Sequence, residues 1–375
     1  MSMKKTMPST GVLTIDLAAI AANWSYLNHH IGDDCCCAAV VKANAYGLGI
    51  APVAQCLWNA GCRVFFVATT EEAKELRECL AHEYQIIVLG GLAHDNSDTC
   101  SDIWSRYQLV PMLFSVEDIE RWGHFCLSTQ QVLPSVIKVD TGMHRLGVQP
   151  QEFERLLNGG RLQTANPICI MSHLACADQP EHPMNSEQAV RFERLVTQCR
   201  ALLPDVQFSL CNSAGVFLDP SLHFDMVRPG IALYGGNPSV GDNPMRAVVQ
   251  ITLPIMQIKT ISEGESVGYG AEFTANKETR IGIVFGGYAD GLLRSLSSVG
   301  FAFCNGVKVP LIGRVSMDSM VFDLSEVGDT DLSCVELLGE GQSLDDVATS
   351  AGTIAYELLT SLGARYSRCY LEPSS

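Results

Sequence analysis

The chain has 375 residues, enough for about two domains at roughly 150 residues each. Apolar residues make up 47% and charged residues 18%, which excludes a disordered chain and supplies ample material for a core. A formal charge of −16 argues against a nucleic-acid partner, because that class carries a basic face.

The chain holds 15 cysteines, no C-x-x-C pair, and a Cys35-Cys36-Cys37 triplet inside an apolar run. That is not the short, evenly counted framework of a secreted disulfide protein; reduced, mostly buried thiols are expected. The opening stretch MSMKKTMPST has lysines but no apolar segment behind them, so no export signal is read. Apolar runs such as Gln85–Leu92 are too short to span a bilayer. A cytoplasmic protein with no membrane partner is expected.

In chain order, β-rich runs occur at Cys36–Val41, Val64–Val67, Ile86–Leu89, Leu109–Phe114, Ser135–Val139, Ile168–Met171, Gln207–Leu210 and Phe224–Val227. Helix-period stretches lie between most of them: Thr70–Leu80, Val116–Phe125, Gln151–Leu157 and Glu187–Leu202. Thr69 and Glu72 have the spacing of a capping box. Strands alternating with helices predict an α/β fold, an N-terminal (β/α)8 TIM-type barrel over residues 1–236. An open doubly wound sheet is the alternative. Turns rich in glycine, asparagine and proline follow Gly235, and then come β-branched runs at Val248–Ile261, Arg280–Phe285, Val307–Ile312, Met320–Leu324 and Val335–Leu338. These predict a mostly antiparallel C-terminal β domain over residues 237–375, with one late helix at Leu344–Leu362.

In a (β/α)8 barrel the working residues sit where strands end. Lys42 follows the first expected strand, Lys138 and Asp140 close the fifth, and His173 closes the sixth. Asn212 and Ser213 close the seventh; Arg228, Pro229 and Gly230 follow the eighth. Singly, each has an ordinary reading as a solvated lysine, a structural histidine or a Pro-Gly turn. Together they gather polar groups at one rim. Barrels often bind phosphate beside strands seven and eight through backbone N–H groups. Lys42 near such a site fits a lysine that condenses with a phosphorylated aldehyde cofactor. It also fits a sugar-phosphate enzyme.

Longer motifs narrow the choice. Val41-Lys42-Ala43-Asn44-Ala45-Tyr46-Gly47, Lys138 through Gly147 (KVDTGMHRLG), Met171-Ser172-His173-Leu174-Ala175, Asn212-Ser213-Ala214 and Val227 through Gly235 (VRPGIALYG) resemble motifs of the alanine racemases, a fold-type III pyridoxal-phosphate family. So do Val267-Gly268-Tyr269-Gly270, Gly287 through Gly291 (GYADG), Gly313 through Asp318 (GRVSMD), Tyr356-Glu357 and Leu362-Gly363-Ala364-Arg365. The resemblance spans nearly the whole chain in the family's order.

It implies the following. The enzyme interconverts L- and D-alanine, supplies D-alanine for peptidoglycan, and works as a head-to-tail homodimer with shared sites. Lys42 carries pyridoxal 5′-phosphate and then serves as one acid/base; Tyr269, from the other subunit, is the second. Tyr46, Ser213, Gly230, Ile231 and Tyr356 hold the phosphate, with Asn212 and His173 beside the cofactor. Arg228 faces the pyridine nitrogen. Arg145 bonds the cofactor's phenolic oxygen and lies near the substrate carboxylate. Lys138 resembles a lysine that is carbamylated in many members and orients that arginine. Met317 and Asp318 come from the partner to the substrate site. Tyr288 narrows the entrance with Tyr356, and Asp178 and Arg294 line it further out.

The chemistry explains the residue types. Racemisation takes the Cα proton from one face and returns one to the other, so two opposed groups must each accept and donate. Clustered cations such as Arg145 and Arg228 favour a neutral amine and a phenolate. A permanently charged arginine at the pyridine nitrogen leaves it unprotonated and limits transamination. One departure stands out: the family commonly reads A-Y-G-H-G, and this chain has Leu48. Three rivals differ from this reading in definite ways. A broad-specificity racemase of the same family is expected to be exported and to have a roomier pocket. A fold-related basic amino-acid decarboxylase is expected to use a carboxylate in place of Arg228. A non-catalytic pyridoxal-phosphate-binding protein has no need of the β domain carrying Tyr269 and Asp318.

Overall fold

The computed structural model describes residues 10–80, 83–92, 101–328 and 332–372, with backbone only at 101 and 102. The 1–9 stretch read for an export signal lies outside the described residues. A parallel barrel is formed by Cys36–Val40, Val64–Val67, Gln85–Val88, Leu109–Leu113, Ser135–Lys138, Pro167–Met171, Gln207–Ser209 and Met226–Val227, each beside its sequence neighbour. The first strand closes the ring. Its lower half, Cys36–Cys37, pairs with Met226–Val227, and its upper half, Ala39–Val40, pairs with Phe65 and Phe66. Between the halves, the Ala38 N–H donates to the Val227 carbonyl at 3.0 Å, so one extended segment serves both neighbours.

These strands read as unbroken apolar runs because both faces are covered, as in parallel barrels generally. Phe65, Phe66, Ile86, Ile87, Val136 and Ile137 are all fully buried. Helices Thr70–Cys79, Val116–Thr129, Pro150–Asn158 and Pro183–Leu202 lie at the expected places.

The second sheet is built around Val249–Ile261, which pairs antiparallel with Thr279–Phe285, Cys334–Leu338 and Val12–Asp16. The last of these also pairs in parallel with Ser367–Leu371. Val12–Asp16, which a division at 236/237 assigns to the barrel, therefore lies in the C-terminal sheet. Its alternation explains this: Leu13 and Ile15 are fully buried there. Asp16 ends the strand and caps the helix Leu17–His30, accepting the Ala19 N–H at 2.9 Å. The chain thus starts in one sheet and crosses directly to the barrel.

The single late helix expected over Leu344–Leu362 is two helices, Leu344–Ser350 and Ala355–Ser361. Gly352, at φ +68°, turns the chain between them into the left-handed region that glycine tolerates. One continuous apolar core runs through barrel and sheet, and a satellite cluster of Ile261, Val267, Ala275, Ile281 and Ile312 supports the outer lobe of the sheet. Among the described residues the cysteines are free and most are buried.

Candidate active site

At the C-terminal ends of the barrel strands lies a cavity of about 800 Å³. Lys42, Tyr46, Lys138, Arg145 and His173 line it, as do Asn212, Ser213, Arg228, Gly230 and Ile231; Asp178 and Tyr356 also contribute. Twelve residues singled out from sequence therefore share one space.

Lys42 leads into an unusual turn. Ala43, Asn44, Ala45 and Tyr46 have φ of 53°, 54°, 52° and 55°. This is a left-handed helical turn made without glycine, closed by Ala45 N–H to Val41 carbonyl (2.8 Å) and Gly47 N–H to Ala43 carbonyl (2.7 Å). L-residues dislike this region by about 1–2 kcal/mol each, so side chains must hold it. Asn44 Oδ1 accepts the Ile50 N–H at 2.7 Å, and Glu72 Oε1 accepts the Ala43 N–H at 2.7 Å. Burial and Arg145 lower the Lys42 ammonium below its ordinary value, with Glu72 opposing.

Deeper in, Arg228 is buried, and among the described residues none of its hydrogen bonds goes to a carboxylate. It donates to Ser209 Oγ, to the Ser172 carbonyl (2.5 Å), to the Leu210 carbonyl (3.3 Å) and to His173 Nδ1 (3.3 Å). Burial lowers it to about 10, which leaves it cationic at neutral pH. Burial, Arg228 and Lys138 hold His173 well below its ordinary value, so its Nδ1 is a neutral acceptor. Lys138, also buried, falls to about 8 through burial, Arg228 and Arg145, with Asp140 opposing. Asp140 itself is turned toward the loop behind it, accepting the Gly142 and His144 N–H groups at 2.9 and 3.1 Å. The cavity floor is thus cationic and suited to an anion.

Its far wall has the shape of a phosphate cradle. Ser213 Oγ accepts the Gly230 N–H at 2.8 Å and the Ala232 N–H at 3.3 Å, which frees the hydroxyl hydrogen to turn outward. A Cβ at Gly230 would stand 2.2 Å from the Tyr46 hydroxyl oxygen, so only glycine leaves this space open. Tyr46 packs against Tyr234 with ring centroids 4.7 Å apart and against Tyr356 at 5.9 Å. Burial pushes its phenol upward, keeping it a protonated donor. These donors, beside Lys42, fit a phosphorylated aldehyde.

Other predicted residues do not enter this cavity. Tyr269 is 73% exposed on a 3-10 turn, Tyr269–Ala271, where Gly270 at φ +76° packs on the Arg314 guanidinium, itself paired with Glu272. Tyr288, Met317, Asp318 and Arg294 are likewise exposed on the C-terminal sheet's loops. Tyr288 and Met317 lie on adjoining loops: the Tyr288 N–H donates to the Ser316 carbonyl and the Ala289 N–H to the Met317 carbonyl, both at 3.1 Å. Arg365 grips the buried Asp290 through Nε and Nη2 (2.8 and 2.7 Å) and reaches Asp318 at 2.7 Å.

Some contributors escape the sequence reading. Asp345, Thr353 and Ile354 are among the residues that bring the chain's own C-terminal part to the cavity edge. Asp345 Oδ2 accepts the Asn237 N–H at 2.8 Å, and burial raises its carboxyl. Glu72 was read only as a helix cap. Leu48 is fully buried in the core, and its carbonyl accepts the Tyr370 hydroxyl at 2.9 Å; at this position the chain uses packing and backbone, not a polar side chain.

A barrel with a lysine ending its first strand, a cationic floor and a glycine-walled cradle at its last defines an enzyme built to hold a phosphorylated aldehyde cofactor. Residues 15–238 match the family model described as "Alanine racemase, N-terminal domain", and residues 248–370 match "Alanine racemase, C-terminal domain". The chain belongs to the alanine racemase family. It is 43% identical over 367 residues to an alanine racemase of Rhodospirillum rubrum, covering 96% of each chain. It is 44% identical to a catabolic alanine racemase of Agrobacterium fabrum, covering 97% of this chain and 93% of that one. Its fold superposes with a TM-score of 0.91 on an alanine racemase of Bartonella henselae with covalently bound pyridoxal phosphate, at 39% identity over 97% of this chain and 100% of that one.

Proposed function

We propose that this protein interconverts L-alanine and D-alanine with pyridoxal 5′-phosphate, using Lys42 and Tyr269 as opposed proton-transfer groups. The observation that carries the reading is the cavity itself: Lys42, the cationic floor and the Gly230 cradle face one another at the barrel rim. Tyr46, Ser213, Gly230, Ile231 and Tyr356 would hold the phosphate, and Lys42 would hold the cofactor covalently. When bound, the cofactor supplies the conjugated ring that makes the Cα proton of alanine removable.

The chain's residues do the rest. Arg228, fixed as a cation, leaves the ring nitrogen without a proton and so restrains side reactions. Arg145 orients the substrate carboxylate, aided by the partner's Met317 and Asp318. Lys42 Nζ exchanges a proton at one face of Cα; the Tyr269 hydroxyl of the partner subunit exchanges one at the other. The reading therefore includes a head-to-tail homodimer, in keeping with the exposure of Tyr269, Tyr288 and Met317 in the single chain. Lys138, with an amine freed from its proton above about pH 8, suits capture of carbon dioxide as a carbamate that bonds Arg145. No helix among the described residues is long and apolar enough to cross a membrane, and the free thiols suit a cytoplasmic enzyme.

The test is racemisation in deuterium oxide with alanine, serine, lysine and arginine as substrates. Deuterium should enter Cα of alanine from either enantiomer, with serine a poor substrate because Tyr356, with Tyr288 brought by the proposed dimer, would narrow the way in. Absence of Cα exchange would remove the racemase reading, and faster turnover of lysine or arginine would favour a broad-specificity enzyme.

A further inference from the structure

Glu72 does not complete the capping box that its spacing predicts. Thr69 plays its half, with its hydroxyl accepting the Glu72 N–H at 3.2 Å. The Glu72 carboxylate, however, bypasses the Thr69 N–H. One oxygen accepts the Ala68 N–H at 2.7 Å, just beyond the second barrel strand. The other leaves the helix altogether and accepts the Ala43 N–H at 2.7 Å, one residue after Lys42. The first N–H groups of any helical turn lack partners within it. Here that N–H belongs to a left-handed turn of four non-glycine residues, which persists only when its surroundings fix it.

We infer that Glu72 is a positioning residue for Lys42: by stapling the ends of the first and second barrel strands it holds the left-handed turn, and with it the direction in which the lysine enters the cavity. A plain helix cap would need neither the Ala43 bond nor the bridge between strands. Glu72 also acts as the anion near Lys42, with an effect on its ammonium opposite to that of Arg145. Its carboxylate touches neither the cradle at Gly230 nor the Arg228 floor, so its effect should reach the reaction through the turn it holds, which runs from Lys42 to Tyr46.

The inference rests on the reading of Lys42 as the cofactor lysine, and the experiment separates the two. Wild-type, Glu72→Ala and Glu72→Gln proteins are stripped of cofactor and mixed with pyridoxal phosphate. Covalent uptake is followed by absorbance, and the lysine is identified by borohydride trapping and peptide mapping. Glu72→Ala should take up the cofactor about ten-fold more slowly and lose about ten-fold or more in kcat, since misplacement of a reacting group by about 1 Å costs up to 100-fold. KM for alanine should hold, because Arg145 is untouched. Glu72→Gln keeps the side chain's size and one carbonyl acceptor but turns an amide NH2, a donor, toward the second N–H. It should fold if Glu72→Ala does not, and fall between the other two. Hydrogen exchange at the Ala43 amide should quicken in the same order. Trapping at a lysine other than Lys42 in the wild type would overturn the functional reading itself. Trapping at Lys42 with wild-type uptake and kcat in the variants, whatever their melting temperatures, would overturn the role of Glu72 alone.

Discussion

Replacing Gly230 with alanine tests the cradle with a single methyl group. The added carbon would lie 2.2 Å from the Tyr46 hydroxyl oxygen and 3.0 Å from its Cζ. Ordinary carbon–oxygen contact needs about 1 Å more. Tyr46 has little room to retreat, since Tyr234 packs on it at 4.7 Å and Tyr234 is itself fixed by its hydroxyl bond to the Val40 carbonyl at 2.9 Å. Overpacking of this kind costs about 1–3 kcal/mol, or roughly 5- to 150-fold in affinity at about 1.4 kcal/mol per decade. The assay is titration of the cofactor-free protein with pyridoxal phosphate and, in parallel, with unphosphorylated pyridoxal. The phosphate ester should lose affinity by that factor while pyridoxal is unchanged. Equal loss for both ligands, or none for either, would refute the assignment of this wall to the phosphate.

Other outcomes follow from the same geometry. Tyr269→Phe should retain the bound cofactor's absorbance yet lose activity most severely from L-alanine; equal, mild loss in both directions would contradict a two-base reaction. Arg228→Glu should raise transamination products, measured as pyruvate formed per racemisation turnover. Lys138, lowered to about 8, is protonated below that pH and a free amine above it. A carbamate signal with carbon-13 bicarbonate should therefore grow as pH rises through about 8 and be absent in Lys138→Arg. Arg365→Met should unfasten Asp318 and leave the buried Asp290 with the Gly287 N–H but without its guanidinium partner, raising KM for alanine and lowering Tm while cofactor affinity stays as in the wild type.

The barrel was legible because its strands are short, uninterrupted apolar runs, and because lysines, His173 and Arg228 are costly anywhere but at strand ends. Their meeting in one cavity follows from that placement. The second sheet was less legible. Val12–Asp16 has only two inward residues, Leu13 and Ile15, and its partners lie more than two hundred residues away; nothing local marks it as part of the last domain. Phe301–Cys304 was missed for a similar reason, being a four-residue strand between turns. The left-handed turn after Lys42 could not be read at all. Ala-Asn-Ala-Tyr is compatible with an ordinary helix, and what reverses its hand is tertiary: Glu72 from another helix and Asn44's bond to Ile50. Motif resemblance supplied Tyr269 and Asp318, since an exposed loop residue carries no local sign of the shared site proposed for it.

The most direct measurement joins the two halves of the account. Lys42→Ala and Tyr269→Ala chains, each inactive alone, are co-expressed with different affinity tags and the mixed dimer is purified through both. If each site takes Lys42 from one chain and Tyr269 from its partner, the mixed dimer contains one intact site and one doubly altered site. It should then show about half the wild-type kcat per dimer, as two-fold symmetry requires. A mixed dimer as inactive as its parents would contradict the shared site.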